Sequence, residues 1–196
     1  MIHVVPAPEP ATFHADVRKP GLAFLKRRRS AKTPFKPPWT KVLDDLMAAY
    51  QEVCAYSCFR IHPVTGGRSA DHLAPKSVDE QQVYEWSNYR LCCARLSSRK
   101  RHFGDVLDPF LVKTGWFQLE LVGFQALPDP QLSQALRNQV QATIDRLALN
   151  DFRRRRASDA EDYWGKGISL QVLRRESPFV AEELRRQNRL NPGDAW

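Results

Sequence analysis

The chain has 196 residues, 42% of them hydrophobic, with ten Phe, five Trp, five Tyr and a formal net charge of +8. That length suits one domain with a substantial core and argues against two independent enzymatic domains, while the aromatic content excludes a wholly disordered chain. No apolar run approaches the roughly 18 residues that cross a bilayer, and the opening MIHVVPAPEP has neither a basic n-region nor an apolar h-region; the expectation is a cytoplasmic protein with no membrane partner.

Proline is concentrated toward the N-terminus, which predicts an extended, weakly folded arm over residues 1–38, with folding beginning near Trp39. From Val17 to Val42 the chain carries Arg18, Lys19, Lys26, Arg27, Arg28, Arg29, Lys32, Lys36 and Lys41 with no acid among them. Nucleic acid is the natural partner of such a run, because each Lys or Arg contact with a phosphate releases counterions, and Arg27, Arg28 and Arg29 are the expected contacts. A solvated basic tail, or a dock for an acidic protein, is the plain alternative.

From Thr40 to Cys54, Leu43, Leu46, Met47, Tyr50 and Cys54 recur at three- and four-residue spacing, which predicts one amphipathic helix. Between Cys54 and His72 short apolar pieces flank Pro63-Val64-Thr65-Gly66-Gly67, and this turn signal predicts a β-hairpin. The apolar, aromatic stretch Trp86 to Leu91 reads as a strand, and Cys92 to Arg101 as a short helix bearing Arg95, Arg99, Lys100 and Arg101. Gly115 to Phe124 reads as one or two strands, with Pro128-Asp129-Pro130 as a stop. Leu136, Val140, Ile144 and Leu147 form a helical stripe within Leu132 to Leu149, and shorter helical pieces follow around Ser169 to Arg175 and Phe179 to Arg186. The expected fold class is α+β: a basic arm (1–38), a core (39–112) and a strand-and-helix extension (113–196) packed on that core.

The residues that carry chemistry come in order: Asp71-His72, then Asn88, then Ser97, Arg99 and Lys100. A neutral imidazole can take a proton from water while an adjacent carboxylate holds a hard cation, which is the chemistry of phosphodiester hydrolysis. An isolated Asp-His dipeptide would mean little. His72 alone could equally be a satisfied core histidine.

The ordered set resembles the HNH endonuclease family of ββα-metal nucleases, in its bacterial standalone branch. The segments that carry the likeness are Asp71-His72-Leu73-Ala74-Pro75-Lys76-Ser77, Trp86-Ser87-Asn88-Tyr89-Arg90-Leu91-Cys92-Cys93, Ser98-Arg99-Lys100 and Asp105 to Phe110. The resemblance covers about a third of the chain closely. It implies a ββα core, His72 as general base at the end of the first strand, and Asn88 as the residue that ties the intervening loop and orients His72. It implies one divalent ion, Mg²⁺ or Mn²⁺, held by Asp71 with Ser97 at the third motif position. Arg99 and Lys100 become candidates for phosphate contact. DNA is the expected substrate, and some relatives of this branch serve in anti-phage defence.

Two features depart from the family pattern. Ser97 stands where the family usually places a metal-binding Asn or His, and a neutral hydroxyl on a short side chain is the poorer ligand. The cysteine pairs Cys54/Cys58 and Cys92/Cys93 lack the spacing of a tetrahedral zinc site, since Leu96 stands where a fourth thiolate would come; buried free thiols are expected instead of structural zinc. The competing reading is an HNH-derived module that has lost catalysis and docks nucleic acid, a partner ATPase or another regulatory protein. His62 and His102 are expected at the surface, Trp116 and Phe117 in the core, and Asp105 and Asp108 as caps.

Overall fold

In the computed structural model, which describes residues 1–28, 33–35 and 38–196, much of the expected arm is helical. His14–Arg18 forms a π-helical stretch that runs into α1 (Lys19–Arg27), which carries Pro20 just after the change of helix type. Phe13, Val17 and Gly21 recur every fourth residue and are buried. Three positions diluted among charged residues make a weak apolar signal, yet fully burying a Phe or Val stabilises by about 1.5–3 kcal/mol each. Phe13 packs edge-on against Trp86 and Tyr89, with ring centroids 5.7 and 5.8 Å apart. Gly21 lies under the Tyr84 ring, where a Cβ would come within 2.2 Å of Tyr84 Cγ. Arg29, Lys32 and Lys36 lie outside the described residues.

The predicted helix over 40–54 is shorter. A 3₁₀ turn at Pro38–Val42 leads into α2 (Leu43–Ala49), which buries Leu46 and Met47. It stops because Gln51 and Glu52 enter the left-handed region, at φ 51° and 63°, and the Glu52 N–H turns back to the Met47 carbonyl at 2.8 Å. Cys54 is not on this helix.

The predicted hairpin around Pro63–Gly67 does not form. β1 (Arg68–His72) pairs antiparallel with β2 (Tyr89–Cys93) in the register Arg68↔Cys93 to His72↔Tyr89. The buried aromatic and apolar residues Tyr89, Leu91 and Cys92 on β2 supply the cross-strand packing, and residues 73–88 become a long loop. The Pro63–Gly67 segment only turns the chain: the Val64 and Thr65 N–H groups both donate to His62 Nδ1, at 3.2 and 3.1 Å. α3 (Ala94–Lys100) follows β2 directly, so the order is strand, loop, strand, helix.

The chain divides into two compact units, residues 5–52 with 61–104, and residues 1–4 with 53–60 and 105–196. These boundaries differ from those expected, because 53–60 and 105–112 group with the C-terminal residues. The reason is local bonding: Val53 bridges Arg60, the Arg60 N–H donates to the Glu176 carbonyl at 2.9 Å, and the Leu107 N–H donates to Thr143 Oγ1 at 3.0 Å.

In the second unit, β3 (Phe117–Leu119) and β4 (Ala126–Pro128) form a hairpin. The helices are α4 (Gln134–Leu147), α5 (Arg153–Trp164), α6 (Leu170–Glu176) and α7 (Pro178–Arg186). α5 was not read from the sequence, because its Arg153 to Arg156 start hides the apolar pattern. Arg156 is buried, and donates to the carbonyls of Leu149 and Phe124 at 2.8 and 3.1 Å. Cys54, Cys58 and Cys92 are buried free thiols, and Cys93 is half-buried. Among the described residues no helix is long and apolar enough to cross a membrane.

Candidate functional site

The candidate residues gather in the first unit, where β1, α3 and the 73–88 loop meet. His72 closes β1 opposite Tyr89, and the two rings meet edge to face at 5.0 Å. His72 Nε2 stands 3.0 Å from the Val83 carbonyl oxygen. A carbonyl only accepts, so Nε2 carries the proton and the neutral ring keeps Nδ1 as its proton acceptor. The Tyr89 hydroxyl donates to the same carbonyl at 2.9 Å.

Asn88 secures both ends of the loop that brings Val83 to His72. Its Oδ1 accepts from the Ala74 N–H at 2.7 Å, and its Nδ2 donates to the carbonyls of Ala74 and Gln82 at 3.2 and 3.0 Å. The backbone adds Leu73 N–H to the Asn88 carbonyl at 2.9 Å. Gln82 precedes Val83, so Asn88 fixes the peptide next to the carbonyl that orients the imidazole. Asn88 is 4% exposed, and each of these backbone groups would be costly to leave without a partner.

Asp71 and Ser69, two apart on β1, share the face that α3 covers. Ser69 Oγ donates to Ser97 Oγ at 3.1 Å. Lys100 has no exposed surface; its Nζ lies 3.2 Å from Asp71 Oδ2 and donates to the carbonyls of His72 and Leu73 at 2.6 and 3.1 Å. Lys100, a candidate phosphate contact by the resemblance, is thus engaged inside the fold with one carboxylate and two carbonyls. The cause is helical spacing: Leu96 and Lys100 are four residues apart, so burying one buries the other. Arg99 is half-buried and Arg95 exposed.

In front of His72 opens a cleft of about 560 Å³ lined by Arg28, Asp71, His72, Lys76, Arg101 and His102 among others. Arg28, expected as one of three equivalent arm contacts, is part of this wall. Its side chain is 6% exposed, pairs with Glu80, donates to the Thr33 carbonyl at 3.0 Å and lies over the Phe35 ring, 4.1 Å from its centroid. Arg27 is exposed in the last turn of α1. His102 is exposed, stacked on Phe103 at 4.6 Å, and borders the cleft. Lys76, Arg101 and His102 were not assigned from the sequence, although Lys76 falls inside the Asp71 to Ser77 segment.

Burial pushes the His72 imidazole from its ordinary 6.5 down to about 3, with the Lys76 and Lys100 charges adding to the effect and the Val83 hydrogen bond opposing it. Burial also lowers the Lys76 ammonium, against a rise from Asp71. His72 is therefore neutral around neutral pH, and the cleft wall carries Arg28, Lys76 and Arg101 against Asp71 and Glu80, with Glu80 paired to Arg28.

A divalent ion at Asp71 and Ser97 fits poorly. Asp71 already faces Lys100, the Ser97 hydroxyl is engaged by Ser69, and among the described residues no three His, Cys, Asp or Glu side chains gather as a metal-ligand group. At an effective dielectric of about 20, two unit charges 4 Å apart interact by about 4 kcal/mol, and a dication would double the repulsion from an ammonium at that distance. One carboxylate and a neutral hydroxyl give little to offset it. No protein-family model matches the chain, and no curated protein matches it.

Proposed function

We propose that the cleft hydrolyses phosphodiester bonds in nucleic acid, DNA being the expected substrate, with His72 as general base. The observation that carries this reading is the tautomer of His72: Asn88 holds the loop, the Val83 carbonyl accepts a hydrogen bond from Nε2–H, and Nδ1 is the proton-accepting atom of a ring that lines the cleft. Water gives its proton to Nδ1 as its oxygen bonds to phosphorus, and the phosphorus bond to the leaving oxygen breaks. Lys76 and Arg101, with Arg28 in its pair with Glu80, line the cleft where negative charge develops, and cationic side chains there stabilise it.

A pKa near 3 makes the resting imidazole a weak base. Substrate acts against that, because a phosphate beside Lys76 cancels one of the charges that depress His72 and adds a negative one. The base is thereby strengthened when the bond to be cut is present. No step here runs through a metal ion.

The Asp71–Lys100 pair favours a second reading, an HNH-derived module that binds nucleic acid or a partner such as an ATPase without cutting. Plasmid nicking and gel shift on one preparation separate the two, run with Mg²⁺, with Mn²⁺ and with EDTA. The nuclease reading expects His72→Ala to lose about 10²- to 10⁴-fold in nicking rate with binding retained. Equal nicking by His72→Ala would remove His72 from the mechanism, and binding without nicking by the wild-type protein would leave the second reading.

A further inference from the structure

We infer that Lys100 is the resident cation of Asp71, filling by a tethered ammonium the electrostatic place that a divalent ion would otherwise take, and that the cleft works without such an ion. The part about how the cleft works rests on the nuclease reading above; the assignment of Lys100 does not.

Lys100 has no exposed surface, and its Nζ is surrounded by three oxygens of one short segment: Asp71 Oδ2 at 3.2 Å, the His72 carbonyl at 2.6 Å and the Leu73 carbonyl at 3.1 Å. An ammonium has three N–H donors, and three acceptors stand within reach. A buried lysine bonded this way is unlike a surface cation that awaits a ligand, and breaking a buried pair from one side leaves an uncompensated charge. The same three bonds fix the end of β1 at the residue before, at and after His72. Lys100 is thus a positioning residue for the base as well as the neutralising partner of the carboxylate.

The surroundings point the same way. Lys76 adds a second positive charge close enough to act on Asp71 and His72. On the face of β1 that carries Asp71, Ser69 bonds Ser97 of α3 hydroxyl to hydroxyl, and Arg90 stands opposite Asp71 across the strand pair. A dication entering here meets a carboxylate already neutralised, two ammonium groups and two engaged hydroxyls. A phosphate meets cations and a neutral histidine.

Mn²⁺ binding to the full chain, followed by calorimetry and by water-proton relaxation, tests the assignment without reference to activity. The wild-type protein should show no saturable site at millimolar Mn²⁺ and be indistinguishable from Asp71→Asn. Lys100→Met, which keeps the apolar stem and removes the charge, should gain a site at least about tenfold tighter, and Asp71→Asn placed in that background should abolish it. A saturable wild-type site that Asp71→Asn removes would overturn the inference, and this comparison stands even if Lys100→Met fails to fold. Absence of binding in a folded Lys100→Met would overturn it also, since the ammonium would then not be what excludes the ion. Nicking in EDTA is read separately: its absence alongside the expected Mn²⁺ results would refute the nuclease reading and leave Lys100 assigned.

Discussion

His72 should make the protein acid-sensitive in a window set by its own two pKa values. In the unfolded chain the imidazole takes up a proton near 6.5, while in the folded chain burial holds that event down at about 3. Between those values the unfolded state binds more protons, so stability is fully present above about pH 6.5 and is lost as pH falls toward 3. At pH 5 the unfolded imidazole is protonated to an extent worth about 1.5 pK units, or about 2 kcal/mol at 1.36 kcal/mol per unit. His72→Gln keeps an N–H that can reach the Val83 carbonyl and removes the titration. Urea unfolding of both proteins at pH 7.5 and pH 5 gives the measurement, and the other titratable groups cancel in the difference. The wild-type protein should lose about 2 kcal/mol more than His72→Gln between those conditions. Equal losses would mean that His72 titrates normally, and the argument that burial keeps it neutral would fail.

Asn88→Ala removes three hydrogen bonds from buried or half-buried backbone groups and should destabilise by about 2–4 kcal/mol in urea unfolding, with a fall in nicking beyond what the remaining folded fraction explains; an unchanged unfolding midpoint would sink the bracing role. Gly21→Ala places a methyl against the Tyr84 ring and should cost about 1–3 kcal/mol, so a melting temperature equal to wild type would show that α1 does not sit there. Lys76→Ala should move the His72 pKa upward, read by NMR titration of the ring protons, because the lysine charge is one of the causes that lower it; a downward or absent shift contradicts the placement. Arg27→Ala should weaken nucleic-acid binding alike on all sequences and reduce its salt dependence by about one unit of log–log slope, and an unchanged slope would show that the end of α1 does not touch phosphate.

Local order made part of the candidate region legible. A strand ending at Asp71-His72 and a short helix near Ala94 to Lys100 follow from the turn and apolar patterns, whereas the strand expected from Trp86 begins at Tyr89, which leaves Asn88 outside it. The loop-bracing role of Asn88 came from the resemblance and not from the residue pattern. What was not legible depended on distant pairing. Nothing in residues 54–67 forbids a hairpin; it loses because β1 finds Tyr89, Leu91 and Cys92 across the sheet. The arm reads as extended because its buried residues are few, and the rings on which Phe13 packs, Trp86 and Tyr89, lie far along the chain. Arg28 and Lys76 belong to the cleft for the same kind of reason.

Ser97 and Lys100 show how motif position and helix geometry assign different chemistry to one site. Taken by motif position, Ser97 is a weak metal ligand and Lys100 a candidate phosphate contact, and an Asn at 97 is the way to strengthen metal binding. Taken by helix geometry, Leu96, Ser97 and Lys100 share the inward side of α3, since residues three and four apart lie on one face. Ser69 and Asp71 share one side of β1, since alternate residues on a strand do. Two pairs follow across that contact, hydroxyl to hydroxyl and ammonium to carboxylate. A better oxygen at 97 would leave the ammonium on Asp71 untouched, so the charge at Lys100, rather than the ligand quality of Ser97, governs what Asp71 can hold.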